Sequence, residues 1–469
     1  MGGSGIASAD PVPDEGADAL AERAAELLAE IIRIPTVNPP GGEAPLAARL
    51  VEILSEAGIE ARVIATPSKP PDPSRRLDDG GPGRAARAAA WARLPGTGRG
   101  RPVVLLSHID VVPADPSEWT VPPFAGEIRD GFVIGRGALD AKGVAVTHLM
   151  TMLQLRDRNP PLDRDVIFLA TPDEEAGGRD GAGYLARERR ELLGDAEFLL
   201  TEGGSIRLGE AGAPPVWGVA VTEKSPCWLE IQTVGTPGHS AAPHPDAAVP
   251  RLVAALDRVR RMQTPIRVTP QVEEMFAALA PLAAEEDRDG YRNLAAALDR
   301  DPEFRRRFLG NRGRNALVRD TISITVLEGG PRTNVAPLEA LAHLDVRLLP
   351  GKRCEDFSAL LAEEIGDPAV RLRPLLSFPS RSSPTDTALY RTLERVAAEI
   401  DPGAAVVPRM ITGFTDAHWF RELGIVAYGF VPRRLAAGDT RGVHGVDEKV
   451  SVDNLAWSVR TLVRILEEL

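Results

Sequence analysis

Short apolar runs in the first half of the chain end, one after another, at histidines or carboxylates. The run at 103–106 leads into His108 and Asp110, the run at 166–170 leads into the acidic segment 173–175, and the run at 198–200 leads into Glu202. Runs of this length, bounded by polar residues, are typical of buried strands. Polar side chains that follow several strands collect at the carboxyl edge of an α/β sheet. The pattern therefore predicts an α/β fold with a functional site at one edge of its sheet.

The chain is too long for one core, because its 469 residues exceed the usual size of a single domain. Strand-like runs alternate with helical patterns up to about residue 221, which favours a mixed, largely parallel central sheet. After that the order becomes strand, helix, strand, strand, helix, strand, typical of a small α+β domain. We therefore predict a main domain in two parts, 1–221 and 384–469, with an α+β domain inserted at 222–383.

Charge, cysteines and hydropathy argue against several classes of protein. The net charge of −12 argues against nucleic acid as a partner. Cys227 and Cys354 are far apart and outside any CxxC motif, so we expect no disulfide and a reducing, cytoplasmic location. No run reaches the roughly 18 apolar residues of a membrane span. The N-terminal residues are expected to form a flexible leader, and residues 67–84 an exposed loop.

Two Gly-rich segments add further candidate ligands to those that follow the strands. Asp140 lies in the segment 135–143, and His444 lies in the segment 442–448. Taken together with the candidates that follow the strands, they supply two histidines and three carboxylates. Such a set suits two zinc ions, with one carboxylate bridging them. The adjacent acids Glu174 and Glu175 also indicate a metal, because neighbouring carboxylates repel unless a cation is close.

In this order the motifs resemble the dinuclear zinc exopeptidase and deacylase family. That family includes carboxypeptidase G, aminoacylase-1, succinyl-diaminopimelate desuccinylase and acetylornithine deacetylase, and the long middle segment is most similar to the carboxypeptidase S and N-acyl-amino-acid hydrolase branch. The resemblance implies a catalytic main domain and an inserted lid that often mediates dimerisation. It also implies the metal ligands: His108 and Glu202 on one zinc, Glu175 and His444 on the other, and Asp140 bridging both.

Three further residues receive catalytic roles. Asp110 is expected to orient His108 as a hydrogen-bonding neighbour of a metal ligand. Glu174 is expected to act as general base and then general acid, because it lies beside a ligand without being one. The resemblance implies that His239, at a Gly-rich turn of the lid, stabilises the oxyanion in the partner subunit's active site. The alternative for His239 is a turn histidine with local hydrogen bonds.

The resemblance also implies substrate contacts at Asn334, Arg347, Gly413 and Thr415. Arg347 matches an arginine that binds a carboxylate, and alternation along its strand puts His343, Asp345 and Arg347 on one face. The alternative is a surface ion pair between Arg347 and a nearby acid. The loop with Gly413 and Thr415 departs from the family pattern at Phe414, where glycine is more usual.

These observations predict a zinc-dependent hydrolase that cleaves an amide bond in N-acyl amino acids or small peptides with a free carboxylate. Two Zn²⁺ per chain are expected, with Co²⁺ or Mn²⁺ as substitutes. The expected partners are a small-molecule substrate and a second copy of the chain bound through the lid, with no nucleic acid and no membrane. The alternatives are a non-catalytic binding protein on the same fold and a metallohydrolase of another ester or amide class.

Overall fold

The computed structural model describes residues 15–68, 86–209, 213–436 and 439–469. The predicted leader lies outside these residues, as does nearly all of the predicted loop at 67–84. The strands are β1 (Glu60–Ala65), β2 (Ala88–Leu94), β3 (Val103–His108), β4 (Glu127–Arg129), β5 (Phe132–Ile134), β6 (Val166–Thr171), β7 (Phe198–Thr201), β8 (Ser205–Arg207), β9 (Val216–Glu223), β10 (Ser225–Val234), β11 (Gly238–His239), β12 (Thr321–Glu328), β13 (Val335–Ala336), β14 (Glu339–Leu348), β15 (Val370–Ser377), β16 (Ala405–Ile411), β17 (Val426–Gly429), β18 (Arg434–Leu435) and β19 (Lys449–Ser451).

The α-helices are interspersed with these strands along the chain. They are α1 (Glu15–Ile32), α2 (Ala44–Glu56), α3 (Lys142–Leu155), α4 (Ala182–Glu188), α5 (Ala248–Arg261), α6 (Pro270–Leu279), α7 (Glu285–Arg292), α8 (Leu294–Arg300), α9 (Pro302–Gly310), α10 (Arg312–Leu317), α11 (Cys354–Ile365), α12 (Ala388–Ile400), α13 (Ala417–Glu422) and α14 (Val452–Glu468). Gly58, just past the end of α2, has a φ of +77°, which glycine adopts without strain. Among the described residues, no helix is long and apolar enough to cross a bilayer.

The chain forms two compact units. The first comprises residues up to 185, residues 191–193 and residues from 431 onward, and the second comprises 186–190 and 194–430. The predicted boundaries at 222 and 383 both fall within the second unit, so the predicted division into domains stays a prediction.

In the first unit, four strands lie in the order β1–β2–β6–β3. The pair β3–β6 is parallel, whereas β1–β2 and β2–β6 are antiparallel. Both β3 and β6 are buried along their whole length, which is why they read as unbroken apolar runs. Helix α3 is buried on nearly every side because it packs against α1, α14 and strand β3. The parallel strands β3 and β6 end next to the candidate site.

The second unit contains two larger groups of paired strands beside the short β11–β13 pair. In one, β7 and β17 are parallel, and β9 pairs with β16 in parallel and with β8 in antiparallel fashion. The other is an antiparallel sheet in the order β12–β14–β10–β15, covered by α5 and α11. Side chains of β14 alternate between buried and part-exposed, as predicted for Leu341–Leu348. The predicted mixed α/β class is confirmed.

The expectation of unpaired cysteines is wrong. Cys227 of β10 and Cys354, the first residue of α11, form a disulfide with their Cα atoms 5.3 Å apart. Both side chains lie in the core between the antiparallel sheet and its helices. The two residues are distant in sequence, and it is the packing of α11 beside the sheet that makes them neighbours.

Candidate metal centre

The parallel pairing of β3 and β6 brings the two predicted site segments to one sheet edge. His108 and Thr171 are register partners at the ends of these strands, and the backbone N–H of Ile109 donates to the carbonyl of Thr171 over 2.8 Å. The chain therefore leaves β3 towards Asp110 and leaves β6 towards Glu174 at the same place. This juxtaposition was predicted from the apolar runs alone.

Four of the five predicted ligands meet in the first unit, around Asp140. Its Oδ1 lies 2.9 Å from Nε2 of His108, and its Oδ2 lies 3.1 Å from Nε2 of His444. The same His444 nitrogen lies 3.2 Å from Oε2 of Glu175. One carboxylate thus faces two imidazoles through its two oxygens, which is the arrangement a bridging ligand requires. The fifth predicted ligand, Glu202, follows β7 in the second unit, and its membership of the set stays a prediction.

The charges at this cluster are strongly coupled. Burial raises the pKa of Asp140, but hydrogen bonds from His108 and His444 outweigh it and hold that pKa below its usual range. The pKa of His444 is raised to about 10 by its hydrogen bonds to Asp140 and Glu175. Burial raises the pKa of Glu175. Buried carboxylates at this density call for positive charge, which protonated imidazoles or a bound cation supply.

The donor atoms fit zinc. Nδ1 of His108 lies 2.9 Å from the backbone carbonyl of Asp110, to which it donates, so loss of the Nε2 proton would leave the lone pair of Nε2 for a metal ion. Within the described chain, Oε1 of Glu175 is buried and lacks a hydrogen-bond partner. Imidazole nitrogens and carboxylate oxygens, with ligand atoms of His108, Asp140 and Glu175 all within 4.8 Å of one another, match a zinc donor set.

Asp110 makes more bonds than the sequence predicted. Its carboxylate Oδ1 lies 3.6 Å from Nδ1 of His108, farther than its own carbonyl oxygen. The same fully buried carboxylate accepts hydrogen bonds from Nδ2 of Asn38 (2.8 Å) and from the backbone N–H groups of Glu174 and Glu175 (3.1 Å each). Asp110 therefore holds the turn that carries both glutamates.

Glu174 begins a single 3₁₀ turn, Glu174–Ala176, and is 7% exposed. The turn is bounded by two residues in the left-handed region, Asp173 at φ +77° and Gly177 at φ +102°. Aspartate tolerates this conformation better than most residues, and glycine adopts it freely. Because neighbouring residues in such a turn point in different directions, Glu174 and Glu175 can serve different partners.

A layer of residues behind this turn was not predicted. Arg87 forms an ion pair with Asp173 and donates over 2.6 Å to Oδ1 of Asn38. Nε of Arg87 also lies 3.9 Å from Oε2 of Glu43, whose side chain is fully buried. The position of Asn38, in the Pro-rich segment that ends α1, is a sequence feature that could have singled this residue out. Arg87 follows the Arg- and Pro-rich stretch with nothing to distinguish it from its neighbours.

Two predicted residues of the second unit, His239 and Asn334, lie next to each other. Strands β11 and β13 pair His239 with Val335, and the backbone N–H of Ser240 donates to the carbonyl of Asn334 over 3.3 Å. His239 is exposed, and its Nδ1 accepts from the backbone N–H of Ala241 over 3.1 Å. His239 therefore makes the local hydrogen bond expected of an ordinary turn histidine, and its imidazole is still accessible.

Arg347 has both the predicted ion pair and an aromatic surround. It donates from Nε and Nη2 to the two oxygens of Asp345, over 2.7 and 3.1 Å. Its guanidinium lies 5.6 Å from the ring centroid of Trp228 and 5.0 Å from that of Phe414. In the part of the chain that the structure describes, Nη1 of Arg347 is buried and has no hydrogen-bond partner. The two N–H groups of Nη1 thus remain for a further acceptor.

The loop that precedes α13 places its two predicted contacts differently. Gly413 is exposed, and a Cβ there would meet nothing within 4 Å. Thr415 is buried, and its hydroxyl donates over 3.0 Å to Oε2 of Glu223, which also pairs with Arg421 at 3.1 Å. The hydroxyl of Thr415 is therefore engaged inside the unit, and a substrate contact there would come from its backbone.

Comparison with known proteins decides the family. Residues 104–468 match the model for peptidase family M20/M25/M40. The chain belongs to this family. Among M20 relatives, it is 32% identical over 379 residues to the mouse (Mus musculus) N-fatty-acyl-amino acid synthase/hydrolase PM20D1, covering 78% of this chain and 74% of that protein. Mouse aminoacylase-1 is 25% identical over 357 residues, covering 75% of this chain and 76% of that protein.

Solved structures share the M20 fold. A metallo-carboxypeptidase from Sulfolobus solfataricus superimposes with a TM-score of 0.68 at 19% identity, covering 95% of this chain and 98% of that chain. Human carnosine dipeptidase 1 gives a TM-score of 0.66 at 17% identity, covering 97% and 98%. The predicted resemblance to the exopeptidase and deacylase family is confirmed. The chain is a hydrolase of the metallo-aminoacylase and carboxypeptidase type that acts on amide or peptide bonds. This assignment argues against the alternative of a non-catalytic binding protein on the same fold.

Proposed function

We propose that this chain binds two zinc ions and hydrolyses the amide bond of N-acyl amino acids with a free carboxylate. The observation that carries the proposal is the position of Asp140 between His108 and His444, with Glu175 beside them. Relatives named as N-fatty-acyl-amino acid hydrolases and as aminoacylase-1 support this substrate class over longer peptides.

The ligand set would be His108 and Glu202 on one ion and Glu175 and His444 on the other. Asp140 would serve both. Bound zinc acidifies water and polarises a carbonyl. Co²⁺ and Mn²⁺ accept the same nitrogen and oxygen donors and are proposed as substitutes.

The chain's own residues would then perform the proton transfers and hold the substrate. Glu174, held by its backbone bond to Asp110, would take a proton from the attacking water and deliver it to the leaving nitrogen. His239 would donate a hydrogen bond to the oxyanion. Nη1 of Arg347 would donate to the substrate carboxylate, and Asn334 and the loop at Gly413 and Thr415 would complete the contacts.

A substrate panel tests the proposal. The zinc-loaded protein is assayed on N-acyl amino acids of different acyl length, on the corresponding amides, and on dipeptides. Metal-free protein prepared by chelation serves as the control. We expect the highest kcat/KM on an N-acyl amino acid with a free carboxylate, no turnover without metal, and recovery on adding zinc. Full activity in thoroughly metal-free protein would refute the metal dependence, and activity confined to dipeptides would refute the substrate class.

We also propose a homodimer formed through the antiparallel sheet. Its edge strand β12 leaves backbone groups open to pairing and carries the exposed side chains of Ile324 (42%) and Leu327 (64%). Light scattering after gel filtration should report twice the chain mass. Substituting Leu327 with lysine should shift that mass towards the monomer.

The predicted cytoplasmic location also remains a prediction. Its basis was the expectation of unpaired cysteines, and the Cys227–Cys354 disulfide removes that support.

A further inference from the structure

Glu448, the last residue of the Gly-rich segment that carries His444, has a fully buried side chain. Its carboxylate accepts hydrogen bonds from one side chain and three backbone groups. The donors are Nη1 of Arg136 (2.7 Å), N of Gly137 (3.0 Å), N of Leu139 (2.7 Å) and N of Asp140 (2.9 Å). All of them belong to the loop at 135–140, which ends at Asp140.

Backbone and side-chain bonds elsewhere tie the same two loops together. The carbonyl of Glu448 accepts from the backbone N–H of Gly135 over 2.9 Å. Nη2 of Arg136 donates to the carbonyl of Gly445 over 3.0 Å. The loop of Asp140 and the loop of His444 are therefore joined at several points, although they are far apart in the sequence.

A simpler reading is that Glu448 and Arg136 form a buried ion pair that serves the stability of the fold. The pattern of donors argues for more. An ion pair alone would leave the remaining lone pairs of the carboxylate to any nearby donor. Here they are taken by three backbone amides of the loop that ends at Asp140, including its own N–H, so the carboxylate fixes the backbone from which a proposed bridging ligand projects.

We propose that Glu448 is a positioning residue that holds Asp140 and His444 at the separation that metal binding requires. Its carboxylate contacts the backbone of Asp140 and is engaged by the 135–140 loop, so it would act through Asp140. One part of this proposal, that zinc affinity depends on Glu448, rests on the proposed zinc function. Its structural part, the ordering of the 135–140 loop, holds independently of metal.

Glu448→Gln is the direct test, because the amide keeps the shape of the side chain but replaces one acceptor oxygen with a donor. Glu448→Asp keeps the charge and shortens the reach, and it serves if the first variant does not fold. The matched control is Asp447→Asn. Asp447 is the adjacent acid in the same loop, and its Oδ1 accepts hydrogen bonds from the N–H and the hydroxyl of Thr120, at 2.9 and 3.0 Å.

The first measurement is amide hydrogen exchange on metal-free protein. Peptides covering 136–141 should exchange faster in Glu448→Gln than in the wild type and in Asp447→Asn, while peptides from β3 should be unchanged. Unchanged exchange in the 136–141 peptides would overturn the positioning role.

The second measurement is zinc affinity by competition with a chromogenic chelator. We expect Glu448→Gln to bind zinc about 10- to 100-fold more weakly than the wild type, the range found when a partner of a metal ligand is lost. Asp447→Asn should bind as the wild type does. Faster exchange with unchanged zinc affinity would overturn the link to metal binding. If the wild type itself bound no zinc, the proposed function would fail, and hydrogen exchange alone would decide whether Glu448 orders the loop.

Discussion

The carboxylate of Asp110 accepts a hydrogen bond of 3.1 Å from the backbone N–H of Glu174. It also accepts one from the next residue, Glu175, so a single buried side chain sets the position of the proposed base and of a proposed ligand. The role of each glutamate side chain can therefore be tested by substitution without moving the turn, because both hydrogen bonds to Asp110 come from the backbone.

The first prediction concerns these two glutamates. Glu174→Gln should lower kcat by about 10²- to 10⁴-fold, the usual effect of losing a general base, and should leave the zinc content near that of the wild type. Glu175→Gln is the matched variant and should lower the zinc content instead. Steady-state kinetics with metal analysis on the same samples check both. A Glu174→Gln protein that lost metal but kept its activity per metal ion would mean that the two roles are exchanged.

The second prediction concerns Arg347. Arg347→Lys should reduce the preference for a free acid over the corresponding amide by about tenfold or more, because a hydrogen bond to a charged group contributes roughly 1.5–3 kcal/mol. The fold should be intact. The measurement is the ratio of kcat/KM for an N-acyl amino acid and its amide.

Arg373→Lys is the control for Arg347. Arg373 lies on β15 of the same sheet and makes a comparable two-bond pair with Glu230, at 3.1 and 3.0 Å. Its substitution should leave the acid-to-amide ratio unchanged. An unchanged ratio in Arg347→Lys as well would assign Arg347 to its pair with Asp345 alone.

The third prediction concerns His239. His239→Ala should lower kcat by about 10²- to 10³-fold, the range for a lost oxyanion donor, and should raise KM much less. His244→Ala is the control, because His244 is an exposed histidine of the same turn region that pairs with Asp246. Separate kcat and KM values for both variants decide the matter. A His239→Ala protein with wild-type turnover would reduce this residue to its local bond with Ala241.

The fourth prediction concerns Glu43 and pH. Burial, with the negative charge of Asp110 as a further cause, raises the pKa of Glu43 to about 7 from 4.5. Between these values the folded protein holds the proton more tightly than the unfolded chain, so the contribution of Glu43 to stability falls as pH rises from 4.5 to 7. At roughly 1.4 kcal/mol per pKa unit, the ionised form costs up to about 3 kcal/mol.

Glu43→Gln removes this titration. The variant should therefore gain stability relative to the wild type between pH 5 and pH 8, measured as the shift in the urea midpoint. Glu56→Gln, at the other end of α2 and exposed, should show the same difference from the wild type at both pH values. A Glu43→Gln midpoint that tracked the wild type across this range would contradict the raised pKa.

Strand ends were the most predictable part of the site. An apolar run fixes where β3 and β6 end, and parallel pairing then brings His108 and the Glu174 turn to one edge. The order of the motifs indicated which distant residues would join them, and His444 does reach Asp140. These features follow from local patterns that survive in a single sequence.

Contacts between side chains from unrelated loops were not predictable. Arg87 reaches Asp173, and Cys227 reaches Cys354, because folding brings together segments that have no shared period or motif. Spacing along the chain gives no distance across a sheet. The carboxylate of Asp110 was assigned to His108, and its bonds to two backbone N–H groups depend on a turn whose left-handed residue, Asp173, the sequence does not reveal.

The disulfide between Cys227 and Cys354 turns the intervening segment into a covalent ring, since 127 positions separate the two residues. The helices α6 to α10 and the strand β12 lie within this ring. A protease that cuts one exposed bond there would therefore leave a nicked molecule of unchanged mass apart from one added water. The two fragments would run as one band on a denaturing gel until a reductant separated them.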